Sequence, residues 1–150
     1  MPMTGKEKAL PRILFLCTGN SCRSQMAEGW AKALKSGSIE AHSAGMEPKG
    51  LHPLAVKVMA EAGVDISRQK SKHVRALAIQ FDFIVTLCDN AKESCPLSPG
   101  KARIVHRDFA DPAAAQGTQE EVLAVFRRVR DQIRDFVAGL PANLNEGERR

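Results

Sequence analysis

The 150-residue sequence predicts one α/β domain, a small parallel sheet of about four strands with helices on both faces. Three observations carry that expectation. Residues 13–16, Ile-Leu-Phe-Leu, form an unbroken apolar run, as suits a strand covered on both faces. Residues 83–87, Phe-Ile-Val-Thr-Leu, form a second, β-branched run between polar neighbours. Between and after these runs, apolar residues recur at helical spacing, so strands and helices alternate along the chain.

The elements follow in order. Residues 1–11 are polar and read as a mobile lead-in. After the first strand, Met26, Ala27, Trp30, Ala31 and Leu34 share one helical stripe. Residues 38–43 alternate enough for a second strand, ended by Ala44-Gly45. Pro53 suits the first turn of a helix running to Ala62, with Gly63 as its stop. A short helix is expected over 74–80, and residues 102–105 read as a further strand. Thr118 and Glu121 have capping-box spacing ahead of Val122, Val125, Phe126, Val129, Ile133, Phe136, Val137 and Leu140. Gly139 and Pro141 mark the end of that helix. Its Arg127, Arg128, Arg130 and Arg134 are expected on a solvated face, and residues 142–150 are expected to fray.

Composition narrows the function classes. The formal net charge is +5, but the basic residues form no dense run with interleaved aromatics. With one tryptophan and no tyrosine, platforms for stacking bases are scarce, so nucleic acid is not expected as a partner. A modest positive field that concentrates a small anion is the economical reading. No apolar run approaches membrane-spanning length and the N-terminus lacks a signal-peptide core, so a cytoplasmic protein is expected. Four cysteines in such a chain point to catalysis or metal binding before structural disulfides.

The chemistry concentrates in Cys17-Thr18-Gly19-Asn20-Ser21-Cys22-Arg23-Ser24, between the first strand and the first helix. Gly19 and Asn20 accept a bent backbone, which turns successive N–H groups inward at a helix N-terminus. Thr18, Gly19, Asn20, Ser21, Cys22 and Arg23 then cradle an oxyanion, with the planar fork of Arg23 matched to its oxygens. The same environment favours a thiolate at Cys17, to which Ser24 can donate. The plainer alternative is a buried cysteine in an ordinary strand-to-helix turn.

Cys88 follows the strand at 83–87 and therefore points at the same carboxyl edge, where folds of this class place ligands. Cys95 lies in the polar stretch beyond it, and the two thiols meet only if that stretch bends or unwinds. A zinc site shared with Cys17 and Cys22 is disfavoured by the long Cys88–Cys95 spacing and by the fixed cation of Arg23. No metal or other cofactor is expected. Cys22 is expected to fill a pocket behind the loop, with an accessory redox role left open. Asp111, before Pro112, is a candidate proton donor to a leaving oxygen, although Asp-Pro is also a common turn. His42, His52, His73 and His106 have no metal spacing and no expected catalytic role.

The run from Cys17 to Trp30 resembles the signature of thioredoxin-coupled arsenate reductases, relatives of low-molecular-weight protein tyrosine phosphatases. Phosphatases of that group typically carry proline where Gln25 stands. Ser43-Ala44-Gly45, Val85-Thr86-Leu87-Cys88, Cys95-Pro96, Asp111-Pro112 and the stretch 126–131 extend the resemblance over most of residues 12–140. The resemblance implies a phosphotyrosine-phosphatase-I-like fold and a relay in which Cys17 attacks arsenate, held by the loop and Arg23, while Asp111 protonates the departing hydroxide. It further implies a Cys17–Cys88 disulfide as arsenite leaves, then a Cys88–Cys95 disulfide that thioredoxin reduces. A monomer is expected. The alternative is a phosphatase, in which water resolves a Cys17 phosphoenzyme; the alanines after Asp111-Pro112 replace the aromatics that grip a phenyl ring there. A third alternative is a non-catalytic thiol or zinc module. Some members of the family bind potassium through equivalents of Asn20, Glu28, Ser43 and a further carboxylate, whose position here falls at Lys72. An ammonium there is expected to take the cation's place, the alternative being a solvated lysine in a basic run with Lys70, His73 and Arg75.

Overall fold

A computed structural model describes residues 9–88 and 102–147, with the side chains of 145–147 left aside. Four strands, β1 (Arg12–Cys17), β2 (Glu40–Gly45), β3 (Phe83–Thr86) and β4 (Arg103–His106), form one sheet in the order β2-β1-β3-β4. All pairings are parallel, with Leu16 opposite both Ala44 and Thr86, and Thr86 opposite His106. Successive strand residues face opposite sides of a sheet, yet Ile13, Leu14, Phe15 and Leu16 are all fully buried, so both faces are covered at β1.

The helices are α1 (Arg23–Leu34), α2 (Pro53–Glu61), α3 (Gln119–Ala138) and α4 (Ala142–Gly147). α1 packs on β1 and β2 and touches both α2 and α3. Gly29 sits at the α1–α2 contact, where a Cβ would stand 2.5 Å from Ile66 Cγ2 and 3.2 Å from Met59 Cε. Phe126, Val129, Ile133 and Val137 bury one stripe of α3, and the capping box of Thr118 and Glu121 forms as expected.

Several expectations are corrected. β2 begins at Glu40 and continues through Gly45, because Gly45 still accepts ladder pairing, opposite Cys17 and bridged to His73. The helix expected over 74–80 is a single 3₁₀ turn, Val74–Ala76, capped by His73 Nδ1. Leu34, at the end of α1, is 46% exposed rather than part of the buried stripe. Ala142–Gly147 does not fray: it is helical, Leu144 is fully buried, and Asn143 Nδ2 donates to Phe136 O at 2.9 Å. Arg127 and Arg130 are not merely solvated. Arg127 makes a two-pronged pair with Glu61 at 2.9 Å, and Arg130 Nη1 donates to Val58 O at 2.8 Å, so they clamp α3 to the end of α2. The lead-in falls outside the described residues over 1–8, and Pro11 O already accepts from Glu40 N.

Candidate active site

Parallel strands end together, and three of the predicted site residues meet at that edge. Cys17 closes β1; continuing the β1–β3 register past Leu16 and Thr86 brings Thr18 beside Cys88. The side chains confirm the placement, with Thr18 Oγ1 3.4 Å from Cys88 Sγ. Cys17, Cys22 and Cys88 are all buried. Cys95 lies outside the described residues.

The loop from Thr18 to Cys22 turns its carbonyls outward, and each is held. Thr18 O accepts from Glu47 N at 2.8 Å, Gly19 O from Lys49 N at 2.9 Å, Asn20 O from Gln25 Nε2 at 3.0 Å and Ser21 O from His52 N at 3.1 Å. In a planar trans peptide the next residue's N–H points opposite to the carbonyl. The N–H groups of Gly19, Asn20, Ser21 and Cys22 are thereby directed to the inner side of the loop, as an anion nest requires. Cys22, the N-cap of α1, offers no side-chain cap, so the first-turn N–H groups add to the same positive pole.

The bend is made by Asn20, not by Gly19. Asn20 has φ of 48° and is fully buried, and asparagine tolerates the left-handed region better than most residues. Its side chain points behind the loop, donating to Ser24 Oγ at 2.8 Å and Ser43 Oγ at 3.1 Å and accepting from Lys72 N at 2.8 Å. Ser24 Oγ, already accepting from Asn20, keeps its hydrogen for Cys17 Sγ 2.9 Å away.

Residues of this loop floor a cavity of about 280 Å³ walled by Lys49, Asp111 and Ala113. Arg23 spans it, with Nη1 donating to Phe109 O at 2.9 Å and Nη2 3.7 Å from Asp111 Oδ2. Asp111 Oδ1 accepts from Ala113 N at 3.0 Å, capping the 3₁₀ turn Pro112–Ala114, so the carboxylate is both a turn residue and a wall of the site. Burial pushes the Cys22 thiol up to about 12, which the hydrogen bond from Ser21 only partly opposes.

Behind the loop, Glu28 of α1 has a side chain only 7% exposed. It accepts from Ser43 Oγ and pairs with Lys32 Nζ, both at 2.5 Å, while Lys72 Nζ lies 3.9 Å away and donates to Lys70 O at 3.0 Å. Burial lowers the Lys72 pKa and the Glu28 carboxylate opposes the shift. The residues present do not fit a potassium ion. Asn20 Oδ1 already accepts two N–H groups, Ser43 Oγ already accepts from Asn20 Nδ2, and an ammonium faces the carboxylate.

Three contributors escaped the sequence reading. Gln25 pins Asn20 O and is itself held by Gln69, 2.8 Å from its Oε1. Phe109 supplies a carbonyl to Arg23, and backbone acceptors have no signature in side-chain identity. Lys49 borders the cavity; the Pro48-Lys49-Gly50 turn shortly after β2 was the available signal.

Residues 12–150 match the model of the low molecular weight phosphotyrosine protein phosphatase family. A protein named arsenate reductase from Shouchella clausii is 55% identical over 122 residues, covering 81% of this chain and 88% of that protein. One of the same name from Oceanobacillus iheyensis is 50% identical over 126 residues, covering 83% of this chain and 91% of that protein. A solved structure described as an arsenate reductase in reduced state superimposes with a TM-score of 0.72 at 36% identity, covering 90% of this chain and 99% of that one. Matches of this length, running from β1 through the loop to the C-terminal helices, make the chain a member of the low molecular weight phosphotyrosine protein phosphatase family, grouped with its arsenate reductases.

Proposed function

We propose that this protein reduces arsenate to arsenite by a three-thiol relay through Cys17, Cys88 and Cys95, with thioredoxin returning the reduced form. The observation that carries the reading is a thiol from another strand beside the Cys17 loop, Cys88 Sγ 3.4 Å from Thr18 Oγ1. A hydrolase using the same loop needs only Cys17.

Arsenate occupies the cavity, its oxygens held by the loop N–H groups and the Arg23 fork. The Cys17 thiolate, steadied by Ser24, attacks arsenic and an S–As bond forms. Asp111 gives its proton to the departing oxygen, which leaves as water. The Cys88 thiolate then attacks Cys17 Sγ. The S–As bond breaks with its electron pair on arsenic, which leaves as arsenite, and the Cys17–Cys88 disulfide remains. Cys95 attacks Cys88 Sγ, freeing the Cys17 thiolate and leaving a Cys88–Cys95 disulfide. A thioredoxin dithiol reduces that disulfide, so two electrons enter for the two that arsenic gained.

Relatives named arsenate reductase at 50–55% identity support the substrate. The second reading, hydrolysis of a phosphate monoester through a Cys17 phosphoenzyme, draws support from the shared loop and the family model. Ala113 in the cavity wall, followed by Ala114 and Ala115 in the chain, offers no aromatic side chain to an aryl group.

The test is arsenate-dependent NADPH oxidation with thioredoxin and thioredoxin reductase, set against hydrolysis of an aryl phosphate. Wild type is expected to turn over arsenate many times. Cys88→Ser is expected to bind oxyanion and to form the Cys17–arsenic bond but not to release arsenite through the relay. Repeated arsenate turnover by Cys88→Ser with thioredoxin as sole reductant overturns the relay, and aryl phosphate hydrolysis without arsenate reduction in wild type establishes the phosphatase.

A further inference from the structure

Lys49 stands outside the loop that reads as the anion site, yet the fold brings it to the same cavity as Cys17 and Arg23. Its backbone is tied to that loop, with Lys49 N donating to Gly19 O at 2.9 Å. Flanking bonds set the register: Glu47 N to Thr18 O at 2.8 Å, and His52 N to Ser21 O at 3.1 Å. Ser71 Oγ holds the turn from the other side, accepting from Gly50 N and donating to Gly19 O, both at 3.2 Å. The aliphatic stem of Lys49 then lies across Gly19, where an added Cβ would meet Lys49 Cδ at 3.4 Å and Cγ at 3.5 Å.

The charges at the cavity explain why this matters. Asp111 carries the one carboxyl group of the cavity wall among the described residues, and its Oδ2 lies 3.7 Å from Arg23 Nη2. Among the described residues, no carboxylate lies within ion-pair distance of Lys49 Nζ. The ammonium is thus a positive charge at an anion cavity whose other cation already has an acidic neighbour. A small tetrahedral oxyanion carries several oxygens, more than one guanidinium fork can hold.

We propose that Lys49 is a second cationic binding group for the inorganic oxyanion, contributing to its capture rather than to the bond-making steps. Its stem is seated on Gly19 and its ammonium binds the outward oxygens at the cavity mouth. This rests on the oxyanion reading of the loop given above, but not on the fate of the bound anion. A charge that holds the free and the reacting oxyanion alike lowers KM and leaves kcat nearly unchanged.

The experiment compares wild type, Lys49→Met, which keeps the stem over Gly19 and removes the charge, and Lys49→Arg, which restores a charge. Binding is read as protection of Cys17 from alkylation by inorganic arsenate and by inorganic phosphate, with the modified cysteine identified by peptide mass. Lys49→Met is expected to need roughly 10-fold more of either anion for half-protection, the lower end for a charge-assisted hydrogen bond at a partly solvated site. Lys49→Arg is expected to recover most of that loss. In the thioredoxin-coupled assay, Lys49→Met is expected to raise the arsenate KM by a similar factor with kcat within about 2-fold. Should Lys49→Met melt lower than wild type, Lys49→Gln at wild-type melting temperature carries the comparison. Equal protection in wild type and the uncharged variants, or a fall in kcat with KM unchanged, overturns the proposal. Protection that depends on Lys49 in a wild type that never reduces arsenate leaves Lys49 as a binding residue and defeats the reductase reading instead.

Discussion

Cys22 shares the loop with Cys17, and burial raises its pKa from 9.0 to about 12. In the folded chain it stays protonated while the same thiol ionises in the unfolded chain, so above about pH 9 the unfolded state holds fewer protons. Its contribution is fully present below pH 9 and is lost as pH rises towards 12. Wild type is expected to lose stability over that window more steeply than Cys22→Ala, by up to about 1.4 kcal/mol per pH unit. Parallel alkaline slopes in chemical denaturation would show that burial does not hold the thiol protonated. Asp111 is separable in the same way. Asn at 111 keeps the acceptor for Ala113 N, because asparagine caps as well as aspartate, but it has no acidic proton to give. Asp111→Asn is expected to melt like wild type and to slow loss of the Cys17 thiol in a single arsenate turnover by roughly 10²-fold. An unchanged rate would reduce Asp111 to a turn residue.

Among elements, the last residue of β2 has the tightest connection to the loop. A Cβ on Gly45 would stand 2.6 Å from Thr18 O and 2.8 Å from Asn20 N. Both are backbone atoms of the Cys17 loop, so no rotamer change relieves the overlap. Gly45→Ala is therefore expected to cost about 1–3 kcal/mol, as overpacking does. Displacing Thr18 and Asn20 also moves the N–H groups, and a shift near 1 Å at a reacting centre costs about 10²-fold in rate. Thermal melting with single-turnover kinetics checks both, and a variant that melts low but reacts at the wild-type rate would separate β2 from the loop. Elsewhere the elements brace each other through long polar side chains. Arg130 reaches Val58 O, while Trp30 Nε1 donates to Arg130 O at 3.1 Å, so one residue of α3 ties both α1 and α2.

Across the whole molecule, the loop is held by a polar chain drawn from separate parts of the sequence. Glu28 comes from α1, Ser43 from β2, Lys72 from the connection towards β3 and Asn20 from the loop itself. The ammonium groups of Lys32 and Lys72 supply the positive charge beside the buried carboxylate. Arsenate turnover and melting temperature are therefore expected to match in potassium and tetramethylammonium salts at equal ionic strength. A saturable gain specific to potassium would show that the cation competes successfully with Lys72. Among the described residues, no helix is long and apolar enough to cross a membrane.

Parts of the molecule whose physics is local were legible from the residues alone. Apolar runs of strand length located β1 and β3, and helical stripes with Thr118 and Pro53 at their starts located α3 and α2. The strand-loop-helix order around Cys17 was likewise legible, because it is made by consecutive residues. Tertiary structure decided everything that depends on a partner distant in the chain. It placed Cys88 beside Thr18 through strand register, and it seated Lys49 on Gly19 through a backbone bond. It also made Arg130 a clamp and buried Leu144, turning an expected frayed end into helix. An isolated arginine or a short polar stretch carries no local sign of such contacts, since the energy that orders it is burial against residues far along the sequence.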